Sequence, residues 1–294
     1  MDFIPAKTIL SGYKTDDAWF GKNYNMNIYK GCSHGCIYCD SRSECYHVDH
    51  FDEVRAKENS LAIIERELRS KRKTGVIGTG AMSDPYNPLE KKYCLTRGAL
   101  ELIHTYGFGV SIATKSDLIT RDIDILKEIK GHSPVLAKIT ITTFEDELCR
   151  IIEPNAPVAS RRFAAIRELT GQGIYTGILL MPILPFLEDN EGNIENIIRL
   201  AHQKGAKFIY PAFGVTLRQN QRDWYYNSLD KHFPGIKKRY ISQYGNNYQC
   251  ASLHAKQLWQ LFQRECKKYG ILYKMEDIIK SYKYGYGDNQ LSLF

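Results

Sequence analysis

The 294-residue sequence lacks any run approaching the ~20 consecutive apolar residues of a membrane span, which excludes a membrane-embedded helical enzyme. It lacks internal repeats, low-complexity tracts and a clear linker. Its first residues, MDFIPAKTIL, offer neither a basic stretch ahead of an apolar run nor a small-residue cleavage site. No secretory signal is therefore expected, and a reducing, cytoplasmic setting follows. Structural disulfides are rare there, so a close group among the eight cysteines means metal binding or catalysis. What is present is ordinary for a globular protein: 43% hydrophobic and 25% charged residues, enough for one or two domains or a single α/β barrel.

The net charge of +7 is small but unevenly placed. Residues 217–286 hold 13 Lys and Arg against 5 Asp and Glu, which leaves the rest of the chain at −1. The same segment is rich in aromatics, among them Trp224, Tyr225, Tyr226, Tyr240, Tyr244, Tyr248, Trp259, Phe262 and Tyr282. Nucleic-acid grooves combine cations for phosphates with rings that stack on bases. The helix-like spacing of Trp259, Phe262, Tyr269 and Tyr273 fits equally well a core face, with Lys256, Arg264, Lys267 and Lys268 turned to solvent.

Six β-rich runs alternate with helical periodicity. The strands fall near Met26–Tyr29, Val76–Ala81, Gly109–Thr114, Val135–Thr143, Thr176–Leu184 and Phe208–Val215. Leu61, Ile64 and Leu68 mark one helix, Leu95, Ala99, Leu102 and Ile103 another, and Ile194, Ile197, Ile198 and Ala201 a third, with Asn193 as its N-cap. This alternation means parallel βα units, either a doubly wound sheet or a full or partial barrel, and a barrel carries its site at the C-terminal strand ends. Those ends read Lys30 to Cys39, Ser83-Asp84-Pro85-Tyr86, Thr114-Lys115-Ser116, Thr142-Thr143 and Pro182 to Pro185.

Cys32, Cys36 and Cys39 sit within eight residues after the first strand, with Gly31 and Gly35 letting the backbone wrap so that the sulfurs converge. Three thiolates can hold three irons of a 4Fe-4S cluster and leave the fourth iron open. Zinc would need a fourth ligand, for which His34, Cys45, His47 and His50 are available, but no second CxxC pair exists. Cys45, Cys149, Cys250 and Cys266 form no pattern.

The CxxxCxxC motif, with Tyr38 before its last cysteine, resembles the radical S-adenosylmethionine (AdoMet) superfamily. That resemblance implies a partial (β/α)6 TIM-type barrel, a 4Fe-4S cluster on Cys32, Cys36 and Cys39, and AdoMet chelating the open iron. Reductive cleavage of AdoMet then gives a 5′-deoxyadenosyl radical that abstracts a substrate hydrogen, with the electron supplied by a donor such as flavodoxin or ferredoxin. Other strand ends are similar to the spore photoproduct lyase-like, or DNA repair photolyase, family: Ser83-Asp84-Pro85-Tyr86-Asn87-Pro88, Thr114-Lys115-Ser116, Ile139 to Thr143, Glu153-Pro154-Asn155-Ala156-Pro157, Arg161-Arg162, and Pro182 to Pro185 with Asp189. By that resemblance Tyr38, Ser83, Lys115, Thr140 and Arg162 contact the cofactor; a lysine supplies a cation for a carboxylate, and hydroxyls can bond ribose or methionine groups. Two departures matter. The family's hydrogen-returning cysteine corresponds to Ala81, with Cys94 a nearby substitute at a helix start, and Asp40 stands where a tyrosine follows the cluster motif. Thymine-dimer reversal therefore does not carry over.

The chain ends Gln290-Leu291-Ser292-Leu293-Phe294, similar to the peptide by which bacterial repair proteins dock on the β sliding clamp. Leu291, Leu293 and Phe294 supply apolar anchors and Gln290 directional hydrogen bonds. The expected organisation is a radical AdoMet barrel over 1–216, a basic, aromatic-rich helical extension over 217–286, and a tail over 287–294. Three functions fit: a radical enzyme acting on a DNA base or lesion; a radical enzyme modifying RNA, a peptide or a small molecule; and a non-catalytic zinc- or cluster-bearing nucleic-acid-binding protein.

Overall fold

The computed structural model describes residues 2–13 and 19–286. Six parallel strands pair in chain order: β1 (Tyr24–Met26), β2 (Val76–Thr79), β3 (Gly109–Thr114), β4 (Val135–Thr140), β5 (Tyr175–Leu180) and β6 (Ile209–Pro211). Leu10–Gly12 adds an antiparallel seventh strand beside β1, and β6 ends the other side, so the sheet is a partial barrel with two edges. The expected helices form at Ser60–Arg69, Leu95–Thr105 and Glu191–Gln203.

Period-two alternation divides the strands into an outer face and an interior. On β4, Val135, Ala137 and Ile139 pack in the main apolar cluster with Ile125, Ile129, Phe163 and Ile166 of the surrounding helices. Leu136, Lys138 and Thr140 take the other face. Lys138 is buried with no carboxylate partner among the described residues; its Nζ donates to Ser111 Oγ at 2.7 Å and lies 4.7 Å from the Phe20 ring centroid. Burial, with Lys22 nearby, holds its pKa well below the usual lysine range.

Four sequence expectations change. The first strand is two: after Met26 the chain leaves the barrel edge, and Tyr29–Lys30 pairs antiparallel with Arg55–Lys57. β4 and β5 stop at Thr140 and Leu180, before their polar and proline-rich ends. The last run also splits, because Ala212 turns back to bond Leu180 and Ile183, and Gly214–Thr216 then pairs with Gln249–Ala251. The N-cap of Glu191–Gln203 is Asn190, whose side chain accepts from the backbone N–H of Asn193. Asn193 itself is buried in the first turn, donating to the carbonyls of Thr142 and Glu188.

Residues 217–286 wrap three sides of the barrel. Gln221–His232 and Ile236–Tyr244 share an apolar cluster with Cys36, Ile37, Tyr38 and Leu184. Ala255–Tyr269 packs on Glu191–Gln203 through Leu258, Leu261, Phe262 and Cys266. Met275–Lys283 places Ile278 and Tyr282 against Phe20 and Phe208, and the Tyr282 hydroxyl donates to the Phe20 carbonyl at 2.7 Å. Tyr225, Tyr226, Tyr240, Tyr244, Phe262 and Tyr282 are buried, whereas Trp224, Tyr248, Trp259 and Tyr284 are exposed. No helix among the described residues is long and apolar enough to cross a membrane.

Candidate active site

The cysteine loop begins at Gly31, whose φ of +81° brings its backbone against the carbonyls of Phe51 and Glu53; a β-carbon there would sit 2.7 Å from both oxygens. Gly35, at φ +69°, lies against Pro154 and Asn155. The loop is then pinned from several elements. Cys32 N–H donates to Phe51 O at 2.8 Å, Ile37 N–H to Ile152 O at 2.9 Å, and Asn155 Nδ2 to Ser33 O at 2.9 Å. Ser83 Oγ donates to Gly31 O. Asp84 joins two strand ends to this loop: it accepts from Thr114 Oγ1 at 2.6 Å and Lys115 N–H at 2.8 Å, and lies 3.4 Å from His34 Nδ1.

Cys32, Cys36 and Cys39 open onto one cleft of about 150 Å³, partly open to solvent, with His34, Ser41, Gly80, Ala81, Met82, Ser83, Asp84, Ala113, Lys115, Thr140 and Leu179 along its walls. Among the described residues no three His, Cys, Asp or Glu side chains converge on a point that one metal ion could occupy. Three soft thiols spread around a shared space, with His34, the histidine in the same wall, 3.4 Å from Asp84 rather than grouped with the thiols around one point, fit a cluster that takes one thiolate per iron better than a tetrahedral zinc. Cys45, His47 and His50 are exposed and absent from the cleft.

Tyr38 and Arg162 stand behind the cleft rather than in its wall. Arg162 is not a surface residue: it is 1% exposed, donates to Thr140 O at 2.9 Å and Pro157 O at 2.6 Å, and pairs with Glu153 at 2.6 Å. Glu153 also accepts from the Tyr38 hydroxyl and lies 3.9 Å from Lys115 Nζ. Burial would push its carboxyl up, but Arg162, Lys115 and the Tyr38 hydrogen bond outweigh it and hold the pKa below the ordinary value. For Lys115, burial pulls the pKa down while Cys36 and Glu153 raise it further, so the ammonium stays charged at the cleft wall. Sequence reasoning gives Glu153 no task of its own. The sequence carries no local signal for it, because its partners Tyr38, Lys115 and Arg162 come from three other elements and meet it only in the fold. Glu188, also missed, is buried after β5 and accepts from Leu184 N–H at 2.9 Å; burial raises its pKa to about 8. Ala81 lines the cleft at the position of the family's hydrogen-returning cysteine, and exposed Cys94 lies outside it beside Arg121.

A family model for the radical SAM superfamily matches residues 26–201, more than half of the chain. The chain belongs to the radical SAM superfamily. Curated relatives include an uncharacterized protein of Mycobacterium bovis, 30% identical over 75% of this chain and 67% of its own length. An uncharacterized protein of Methanocaldococcus jannaschii is 34% identical over 58% of this chain and 64% of its own. Among solved structures, a spore photoproduct lyase variant with bound AdoMet and dinucleoside spore photoproduct superposes with a TM-score of 0.66 at 15% identity, covering 92% of this chain and 82% of that one. A second, complexed with dinucleoside spore photoproduct, gives 0.63 at 15%, covering 92% and 80%. This chain is thus a radical SAM enzyme that uses a 4Fe-4S cluster and AdoMet, which overturns the non-catalytic binding-protein reading, and its fold is the one seen in the spore photoproduct lyases.

Proposed function

We propose that Cys32, Cys36 and Cys39 hold the cluster, that Ser83, Lys115 and Thr140 hold AdoMet, and that the substrate is a nucleic-acid base, in DNA before RNA. When bound, these cofactors supply a 5′-deoxyadenosyl radical that removes one hydrogen atom from the substrate. The observation that carries the reading is the single cleft in which three thiols, an ammonium and a threonine hydroxyl meet. Lys115 offers its charge to a carboxylate, and Ser83 fixes the cysteine loop through Gly31. Tyr38 and Arg162 act from behind, through Glu153, keeping Lys115 oriented.

The DNA assignment rests on the strand-end side of the molecule. Arg239 stacks over Phe186, in the loop after β5, at 4.1 Å, with Lys238 exposed beside it. Arg218 lies between Tyr46 and Tyr248, at 5.8 and 4.9 Å from their centroids. An exposed cation on an aromatic platform, as Arg239 is on Phe186, suits a single strand or an extruded base, while Arg218 is half-buried and paired with Asp40 at 3.1 Å. The clamp-like residues Gln290, Leu291, Leu293 and Phe294 lie outside the described residues; a pulldown on β clamp with and without residues 290–294 tests them, and equal recovery refutes docking. A one-electron donor of the flavodoxin or ferredoxin class and a cytoplasmic location complete the proposal.

The deciding experiment follows deuterium from labelled oligonucleotides into 5′-deoxyadenosine after anaerobic reconstitution. Transfer from DNA supports the assignment. Transfer only from RNA, or none from either with turnover on a peptide or small molecule, moves the enzyme to the second reading.

A further inference from the structure

Arg42, three residues beyond Cys39, has no place in the cleft, yet its side chain is only 9% exposed. Its guanidinium carbon lies 3.8 Å from the Trp224 ring centroid and 4.9 Å from that of Phe51, so two rings hold it. Each member of this clamp is bonded to the peptide of a different cysteine. The Phe51 carbonyl accepts from Cys32 N–H at 2.8 Å. The Trp224 indole N–H donates to the Cys36 carbonyl at 3.4 Å. The Arg42 N–H donates to the Cys39 carbonyl at 3.2 Å. The facing anion, Asp52, bonds an Arg42 Nη but is 55% exposed, so water screens its charge while the rings shield that of Arg42. Arg42 Nε is buried without a hydrogen-bond partner, which leaves its charge only partly compensated inside the fold.

Given that Cys32, Cys36 and Cys39 hold the cluster, we propose that Arg42, fixed by Phe51 and Trp224, raises the cluster's reduction potential and so sets how readily an external donor reduces it. Reduction adds one electron, taken from a one-electron donor that is oxidised by one, and no bond forms or breaks. A fixed, poorly hydrated positive charge lowers the free energy of that added negative charge, and local charge and solvent exposure are known levers on iron–sulfur potentials. Arg42 is a positioning residue that acts through the field at the cluster. The C-terminal extension contributes through Trp224, which keeps the cation out of water.

The test is a mediated redox titration of the reconstituted full-length enzyme without AdoMet, read by the EPR signal of the reduced cluster, with iron content measured in parallel. At the wild-type midpoint, Arg42→Gln should lower the ratio of reduced to oxidised cluster about tenfold, which is 59 mV for one electron. Arg42→Lys should recover most of the loss. Trp224→Ala should shift in the same direction by less, Trp224→Phe should stay near wild type, and Asp52→Asn should shift the opposite way. Full iron content with an unchanged midpoint in Arg42→Gln overturns the proposal. So does a midpoint shared by Trp224→Ala and Asp52→Asn, which decides the matter if Arg42→Gln takes up no iron. A wild-type protein that binds no iron breaks the earlier cluster assignment instead.

Discussion

The cysteine cleft and the C-terminal quarter are both marked regions of the sequence, but they carry opposite kinds of signal. The cleft is marked by spacing: three cysteines within eight residues and short polar runs at strand ends. Those residues do assemble, because a parallel barrel carries all its C-terminal strand ends to one side. The quarter over 217–286 is marked by composition, and composition does not fix direction. Its buried tyrosines pack behind the cysteine loop and under the barrel, and its cations stay at the surface. A motif constrains geometry; an average over a segment does not separate core from binding face.

Substitutions can break or sharpen that contrast. The largest effect belongs to the cleft: Cys36→Ala should remove the cluster and reduce 5′-deoxyadenosine formation to background, with the fold retained by circular dichroism. Glu153→Gln should cost about 3–5 kcal/mol in denaturant unfolding, because it strands Arg162 in the interior without its anion and takes the carboxylate away from Lys115 at the cleft wall. A cost below about 1 kcal/mol would mean that the buried charges are compensated elsewhere. In the extension, Tyr240→Ala should cost a similar or slightly smaller amount, about 3 kcal/mol, since it removes a fully buried ring bonded to Tyr225 and Pro185. A near-neutral result would restore that tyrosine to a binding role.

Lys138→Met should stabilise the protein by about 1–3 kcal/mol at neutral pH, because burial disfavours the charged amine in the folded state while the unfolded lysine is freely hydrated. The sign follows from proton counts: between the depressed folded value and the ordinary lysine value the unfolded state binds more protons, so wild-type stability rises with pH over that window. The variant should lack this slope. The smallest effect on folding belongs to Lys238→Ala with Arg239→Ala, within about 0.5 kcal/mol of wild type. The same pair should weaken oligonucleotide binding and make its salt dependence shallower, by up to about 0.7 in slope for each single-strand phosphate that is no longer neutralised. An unchanged slope would place the nucleic-acid surface elsewhere.

Much of the cleft was legible because its parts are local. Cys32, Cys36 and Cys39 share one loop, and Ser83, Lys115 and Thr140 each sit at or just beyond a strand end. Arg162 is placed at the cofactor by resemblance alone: nothing in the polar run Ser160-Arg161-Arg162 marks it as inward, and only its fit beneath Thr140 buries it behind the cleft. Glu153 is hidden for a related reason: its partners come from three other elements, at Tyr38, Lys115 and Arg162. The strand boundaries differ where a run of β-formers crosses a change of pairing partner, as at Met26 and Ala212.

The sequence by itself determined the repeating βα order, the three-thiol donor set and the positions of the strand-end polar groups, because these depend on local spacing and periodicity. Tertiary structure alone decided which charges are buried. The Glu153–Arg162–Lys115 group, the buried Lys138 and the aromatic clamp on Arg42 each join residues distant in the chain. The energy of a charge depends on what surrounds it, and that is settled only when the elements close around it.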